Sequence, residues 1–222
     1  MFEVLGDLLP IAVAIALSPF PVIAIVLVLS TPKAGVNGTA FALGWVAGLG
    51  AAATLVLLLA GGSDEPGSTA AQGVSWVRVL LGVALLALAV RKWRSRPRPG
   101  EESEMPGWMA HLDELTPGKA AGLGVLLGGV NPKNLALVIA GASAIAQAGL
   151  PPGEVVVDVV AFVLLASSTV AGAVLAHVVL GERSEAGLAS VKQFMLDHNA
   201  AIMVVILLLF GLKLVGDGLA GV

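Results

Sequence analysis

Residues 131–134, Asn-Pro-Lys-Asn, stand inside an apolar run that extends from Ala120 to Ala148. Two amides and a cation are costly there, because hydrocarbon offers no partner to an unpaired polar group. Pro132 removes a backbone donor and breaks a continuous helix. Asn131 is the kind of residue that caps a new helix, with Pro132 in its first turn. The chemistry this suggests is recognition rather than bond-making. A helix N-terminus in an apolar interior turns free N–H groups toward an anion, and Lys133 adds a full positive charge beside it. The stretch Ser18-Pro19-Phe20-Pro21 interrupts the first apolar run in the same way. Pro19 and Pro21 each lack a donor, and each disfavours helix at the residue before it.

Ser167, Ser168 and Thr169 fall near the middle of another apolar run. The candidate substrate-binding layer is therefore Ser18, Pro19, Pro21, Asn131, Pro132, Lys133, Asn134, Ser167, Ser168 and Thr169. No acid falls at this depth, so an unmatched lysine points to an anionic group such as a carboxylate or a lipid phosphate. Two plainer accounts stay open. The hydroxyls can bond their own i−4 carbonyls, and Lys133 can snorkel to the cytoplasmic interface if its helix starts at Asn131. A second polar set, Arg78, Asp158, Lys213 and Asp217, lies toward the other face as an ion-pair network or an extracellular gate. Gly44 and Gly48 form a GxxxG pair suited to close helix packing, and His177 reads as an interfacial residue. No nucleophile–base pair and no nucleotide loop is present, so catalysis is not expected. The chain has no cysteine and three scattered histidines, which leaves no metal site and no cofactor to expect. No basic patch interleaved with aromatics supports nucleic-acid binding.

The elements that must position these residues are membrane helices. Of the 222 residues, 57% are hydrophobic and 12% charged, against about 25% charged in an ordinary soluble domain. The mean hydropathy is +0.96. Six runs suffice to span, at 4–30, 36–60, 74–90, 120–148, 155–180 and 200–219, since a crossing helix needs roughly 20 apolar residues. The N-terminus is acidic and its apolar run continues to Leu29, which reads as a retained membrane segment. Basic residues concentrate in alternate connections: Lys33; then Arg91, Lys92, Arg94, Arg96, Arg98 and Lys119; then Arg183 and Lys192. The positive-inside rule makes those connections cytoplasmic. The expectation is a multi-pass protein of the cytoplasmic membrane with both termini outside. Within the third connection, Trp108, Met109, Leu112 and Leu115 follow helical spacing with Asp113 and Glu114 opposite. This predicts a short amphipathic helix at the interface.

The two breaks are spaced alike. Pro19 lies sixteen residues before Gly35, and Pro132 seventeen before Gly149. The fold expected is all-α, with six transmembrane helices forming two inverted three-helix repeats and helices one and four broken near the midplane. Residues 1–92 would form the first repeat, 93–118 the cytoplasmic loop and 119–222 the second repeat.

The Asn-Pro-Lys-Asn motif, the Pro-containing break in the first helix and the six-segment plan resemble the LysE-like transporter superfamily. The stretch from Pro106-Gly107-Trp108 through Leu112-Asp113-Glu114-Leu115-Thr116-Pro117-Gly118-Lys119-Ala120 to Asn131-Pro132-Lys133-Asn134 is more narrowly similar to the GAP/Sap branch. Those are actinobacterial peptidoglycolipid- or sulfolipid-addressing proteins. The resemblance implies a transporter that moves an anionic amphiphile or cell-envelope lipid outward, with membrane lipids as partners. A small-solute exporter for amino acids or cations is the alternative. A non-transporting accessory of a larger lipid-export machine is the third reading, and a second copy of the chain or such an exporter would be the protein partner.

Overall fold

The computed structural model describes residues 2–60, 69–96 and 115–220. The acidic connection at 61–67, Arg98 and nearly all of the expected interfacial helix (105–114) lie outside the described residues. Every element among the described residues is helical: α1 (Phe2–Ala16), α2 (Pro19–Leu29), α3 (Ala34–Ala60), α4 (Thr69–Arg94), α5 (Pro117–Val125), a π-helical turn (Leu126–Val130), α6 (Pro132–Gln147), α7 (Pro152–Ala166), α8 (Ser168–Leu180), a 3₁₀ turn (Gly181–Ser184) and α9 (Glu185–Ala220).

Both sequence-predicted breaks are present. Ser18 is extended (φ −63°, ψ 116°), α2 restarts on Pro19, and α1 and α2 meet at a bend of 53°. The second break bends by 58° between the α5–π segment and α6, with Asn131 extended between them. Proline in the first turn is well placed in both, because its missing N–H belongs to the group a helix start leaves free. The π turn just before Asn131 was not visible in the sequence. There the Asn131 N–H reaches back to the Leu126 carbonyl at 2.9 Å.

Residues 34–59 and the continuous run 168–220 are long and apolar enough to cross a membrane, and each bent pair adds one more span when taken whole. The surface agrees with a lipid solvent. Leu58, Leu59 and Val179 are each more than 70% exposed, while Trp45, Phe41 and Phe162 are fully buried. The protein is a helical membrane protein with two to four candidate spans. Two expectations about element limits are corrected. The last helix starts at Glu185 rather than near residue 200, because a polar helix that leaves the hydrocarbon has no hydropathy signal. Its 36 residues reach about 54 Å, well beyond ~30 Å of hydrocarbon. The expected run 155–180 is two helices, with a lapse of one residue at Ser167.

Without a hydrophobic drive between helices in lipid, close packing of small residues holds such a bundle together. Two seams show this. Gly44 and Gly48 of α3 lie on the backbone of α5 and the π turn, so that a Cβ at Gly48 would meet the Val125 carbonyl at 2.8 Å and one at Gly128 the Trp45 carbonyl at 2.9 Å. On the other side α4 packs along α9, where a Cβ on Gly82 would lie 2.7 Å from the Gly211 carbonyl. Between the seams sit α1, α2 and α6, with α7 and α8 closing the back.

Gly44→Ala places a methyl group against the Ala121 backbone, which cannot yield as a side chain can. A loss of about 1–3 kcal/mol is expected from such overpacking. Gly122→Ala, with open space at its Cβ, should stay within about 0.5 kcal/mol of the parent. Unfolding measured in detergent or bicelles compares the two.

Candidate functional site

A helix that ends leaves its last four carbonyls without intrahelical partners. For α1 these belong to Val13, Ala14, Ile15 and Ala16, and they end inside the bundle. Each one finds a donor. Leu17 N–H bonds Val13 O at 2.8 Å and Ser18 N–H bonds Ile15 O at 3.0 Å. The Lys133 ammonium donates to Ala14 O at 3.0 Å, and the Thr169 hydroxyl donates to Ala16 O at 2.6 Å. The broken end of α1 is thus closed by one side chain from α6 and one from α8. A cation is also the charge that the negative end of a helix dipole favours.

Ser18 joins the two breaks. Its hydroxyl donates to Asn134 Oδ1 at 3.0 Å and accepts from the Lys133 ammonium. Asn134 Nδ2 in turn donates to Leu127 O at 2.8 Å, a carbonyl in the π turn. Asn131 caps α6, its side-chain oxygen accepting from Lys133 N–H at 3.1 Å. Ser18, Lys133 and Asn134 are 3%, 5% and 0% exposed. Lys133 therefore does not snorkel: it lies enclosed, with no carboxylate against it among the described residues. Two of its three N–H donors are engaged.

The other members of the expected layer divide. Pro19 and Pro21 are buried in α2, and Pro132 is exposed at the start of α6. Thr169 is tied to α1 rather than to its own helix. Ser167 is buried, and its hydroxyl has no partner among the described residues. Ser168 is exposed and turns away from this layer. Lys92 sits over the Phe20 ring at 5.5 Å, which brings the basic end of α4 against the first break.

A cleft of about 670 Å³ opens between α1 and α6 on one side and α4 and α9 on the other. Three of the four residues in the second polar set line it: Arg78, Lys213 and Asp217. Lys213 and Asp217 form an ion pair at 3.1 Å, one turn apart on α9. Asp7 and Gln147 add polar groups, and Val4, Ile11, Ala140, Ala144 and Leu214 give it an apolar wall. Asp7 was not among the expected residues, because an acid so near the N-terminus reads as a solvated end. Asp158, the fourth member, is elsewhere: it is fully buried in α7 and forms no ion pair among the described residues. Ile11 lies three residues before Ala14, so the cleft wall reaches within about 5 Å along α1 of the carbonyl that Lys133 holds.

A family model described as "Sap, sulfolipid-1-addressing protein" matches residues 8–220. No curated protein and no solved structure matches the chain.

Thr169→Val keeps the side-chain shape and removes the donor to Ala16 O. A buried carbonyl left without a partner costs about 1–3 kcal/mol, and unfolding in bicelles should show that loss. Ser168→Val, on the exposed side of the same helix, should be close to neutral.

Proposed function

The chain belongs to the sulfolipid-1-addressing protein family, and on that premise we propose that it is a lipid translocator. It would carry an anionic amphiphile outward across the cytoplasmic membrane. The observation that carries this reading is the cleft beside the first break. One side of it is apolar and suits an acyl chain, while Arg78, Lys213, Asp7 and Asp217 offer polar contacts to a headgroup. These four charges sum to zero, so the cleft alone does not favour an anion. Lys133 does, because it is the buried cation with no carboxylate beside it among the described residues. An anionic headgroup that reaches the break can compete with the Ala14 carbonyl for the ammonium, because an oppositely charged acceptor binds it more strongly than a neutral carbonyl does. Capturing the headgroup would then uncap α1 and loosen the bend.

Helix pairing supports an inverted repeat of two three-helix units. The two broken spans lie side by side, α1 against α6. Span two packs on span four (α3 on α5), as span five packs on span one (α7 on α1, α8 on α2), and span three packs on span six (α4 on α9). That is the pattern a two-fold axis in the membrane plane would produce. The basic ends of the helices then face the cytoplasm and the cleft faces outward. In this arrangement α9 rests on α2 and touches α6 only lightly. The α4–α9 pair can therefore rock about its inner attachment to close the cleft. The superfamily implied is the LysE-like one. A small-solute exporter remains the second reading, since 670 Å³ is also within the size of ordinary ligand pockets.

The test is reconstitution in liposomes with labelled anionic phospholipid, labelled zwitterionic phospholipid and radiolabelled amino acids. The anionic lipid should cross, and Lys133→Met should slow it at least ~10-fold, the equivalent of one lost charge-assisted hydrogen bond. Flux unchanged in Lys133→Met rules out anion capture at the break. Movement of amino acids alone supports the small-solute reading, and movement of neither class supports an accessory role.

A further inference from the structure

The lipid-facing surface of this bundle ends at two different heights. Thr169 of α8 bonds the end of α1, so α8 starts level with the first break and runs on along α2. Val174 lies beside Gly38 and Leu29, near the far end of α2. On this side the apolar surface continues well past the break, where Leu175, Val178, Val179 and Leu180 are each more than half exposed. Leu180 lies eleven residues beyond Thr169, about 16 Å further along the bundle.

On the α4 side it stops short. α4 runs antiparallel to α9, with Gly82 beside Gly211 and Ser75 beside Gly218. By that register Lys92 stands level with Ala201. The Lys92 ammonium lies over the ring of Phe20, the second residue of α2. The helix therefore ends at the height of the break, with Arg91, Lys92 and Arg94 in its last turn and Arg96 just beyond, stacked on Trp93 at 3.8 Å. Arg91, Arg94 and Arg96 are exposed, and none of the four cations forms an ion pair among the described residues. Asp197 of α9 is level with this end, but it accepts from Gln193 at 2.8 Å. α9 continues past the end of α4 over residues 185–200, and there Gln193, Asp197 and His198 are exposed. One sector of the bundle is thus polar at heights where α8 is apolar.

Four cations at that height are costly in hydrocarbon. Where an apolar belt is too short, the bilayer thins and long basic side chains reach for headgroups. We propose that the end of α4 is a headgroup site for anionic phospholipid, where the leaflet is drawn up to the first break. On the orientation given above this is the inner leaflet. Charge decides the occupant, since a cluster of cations attracts an anionic headgroup and has no net attraction for a zwitterionic one. Val83, Leu88 and Val90 on the exposed side of α4 offer a surface to the acyl chains. Phe20 follows Ser18 by two residues, and the Ser18 hydroxyl accepts from Lys133. A phosphate held by Lys92 therefore stands next to the junction that Lys133 closes. As an entry point the site rests on the translocator reading; as a binding site it does not.

The first test needs no transport. The protein is placed in vesicles of phosphatidylglycerol and phosphatidylcholine in fixed proportion, with bromine on the chains of one lipid or the other. Bromine quenches a neighbouring tryptophan, and the difference between wild type and Trp93→Phe isolates Trp93. Its quenching should show phosphatidylglycerol enriched at least ~5-fold over the bulk, the equivalent of one engaged cation. A variant with Arg91→Gln, Arg94→Gln and Arg96→Gln should lose the preference. The same three positions changed to Lys keep the charge and should retain it, which separates loss of charge from misfolding. Equal quenching by the two lipids in the wild type, a preference that survives in the Gln variant, or one lost in the Lys variant overturns the site. The liposome flux assay then tests entry. In the Gln variant, half-maximal movement of anionic lipid should need a several-fold higher fraction of that lipid, with the maximal rate kept. An unchanged dependence overturns the entry role. A lipid preference at Trp93 without any lipid movement leaves the site standing and overturns the translocator reading.

Discussion

Four backbone carbonyls end inside an apolar bundle where α1 stops, and the structure depends on how they are closed. In hydrocarbon each unpaired carbonyl costs several kcal/mol. Two of the four are satisfied locally, by Leu17 and Ser18. The other two, on Ala14 and Ala16, require donors from other elements. Lys133 must therefore enter from α6 and Thr169 from α8, which places both helix starts at the level of the first break. Lys133 reaches it from the first turn of α6, which begins one residue earlier at Pro132, so the two breaks meet at one level. Ser18 completes the arrangement by holding Lys133 and Asn134 together.

The rest of the bundle serves that junction. The glycine seam between α3 and the α5–π segment fixes the approach of the second broken span. Its π turn leaves Leu127 O free to accept from Asn134. The seam between α4 and α9 forms a second unit, which rests on α2 and leaves the cleft beside α1 and α6. A fully satisfied polar network gives a defined geometry, and a network disturbed at one member leaves costly groups behind. A junction of this kind suits a protein with two discrete states, because half-formed arrangements are penalised.

Much of this junction was legible in the sequence, and the reason is cost. Prolines, amides and a lysine inside an apolar run are expensive, so their presence at 18–21 and 131–134 marks where the chain must break and where polar groups must meet. Pro10 shows the limit of that logic, since it lies inside α1 without ending it. The sequence was silent on the acceptors: Ala14 and Ala16 act through backbone carbonyls, which carry no residue signature. It could not separate Thr169, which points at α1, from Ser168, which points away, because a lapse at Ser167 resets the helical phase. Nor could it show that Asp158 stands apart from Arg78, Lys213 and Asp217, since shared depth along a helix does not fix which face a residue occupies. The extra length of α9 escaped because hydropathy detects the hydrocarbon and not the helix.

The central claim is that Lys133 and Ser18 act as one unit in closing the end of α1. A double-mutant cycle measures this directly, with Ser18→Ala, Lys133→Met and the double variant unfolded in bicelles. The account predicts a coupling energy of about 1 kcal/mol or more, with the double variant losing less than the sum of the singles. Losses that simply add would mean that the two side chains do not hold each other, and would contradict the account.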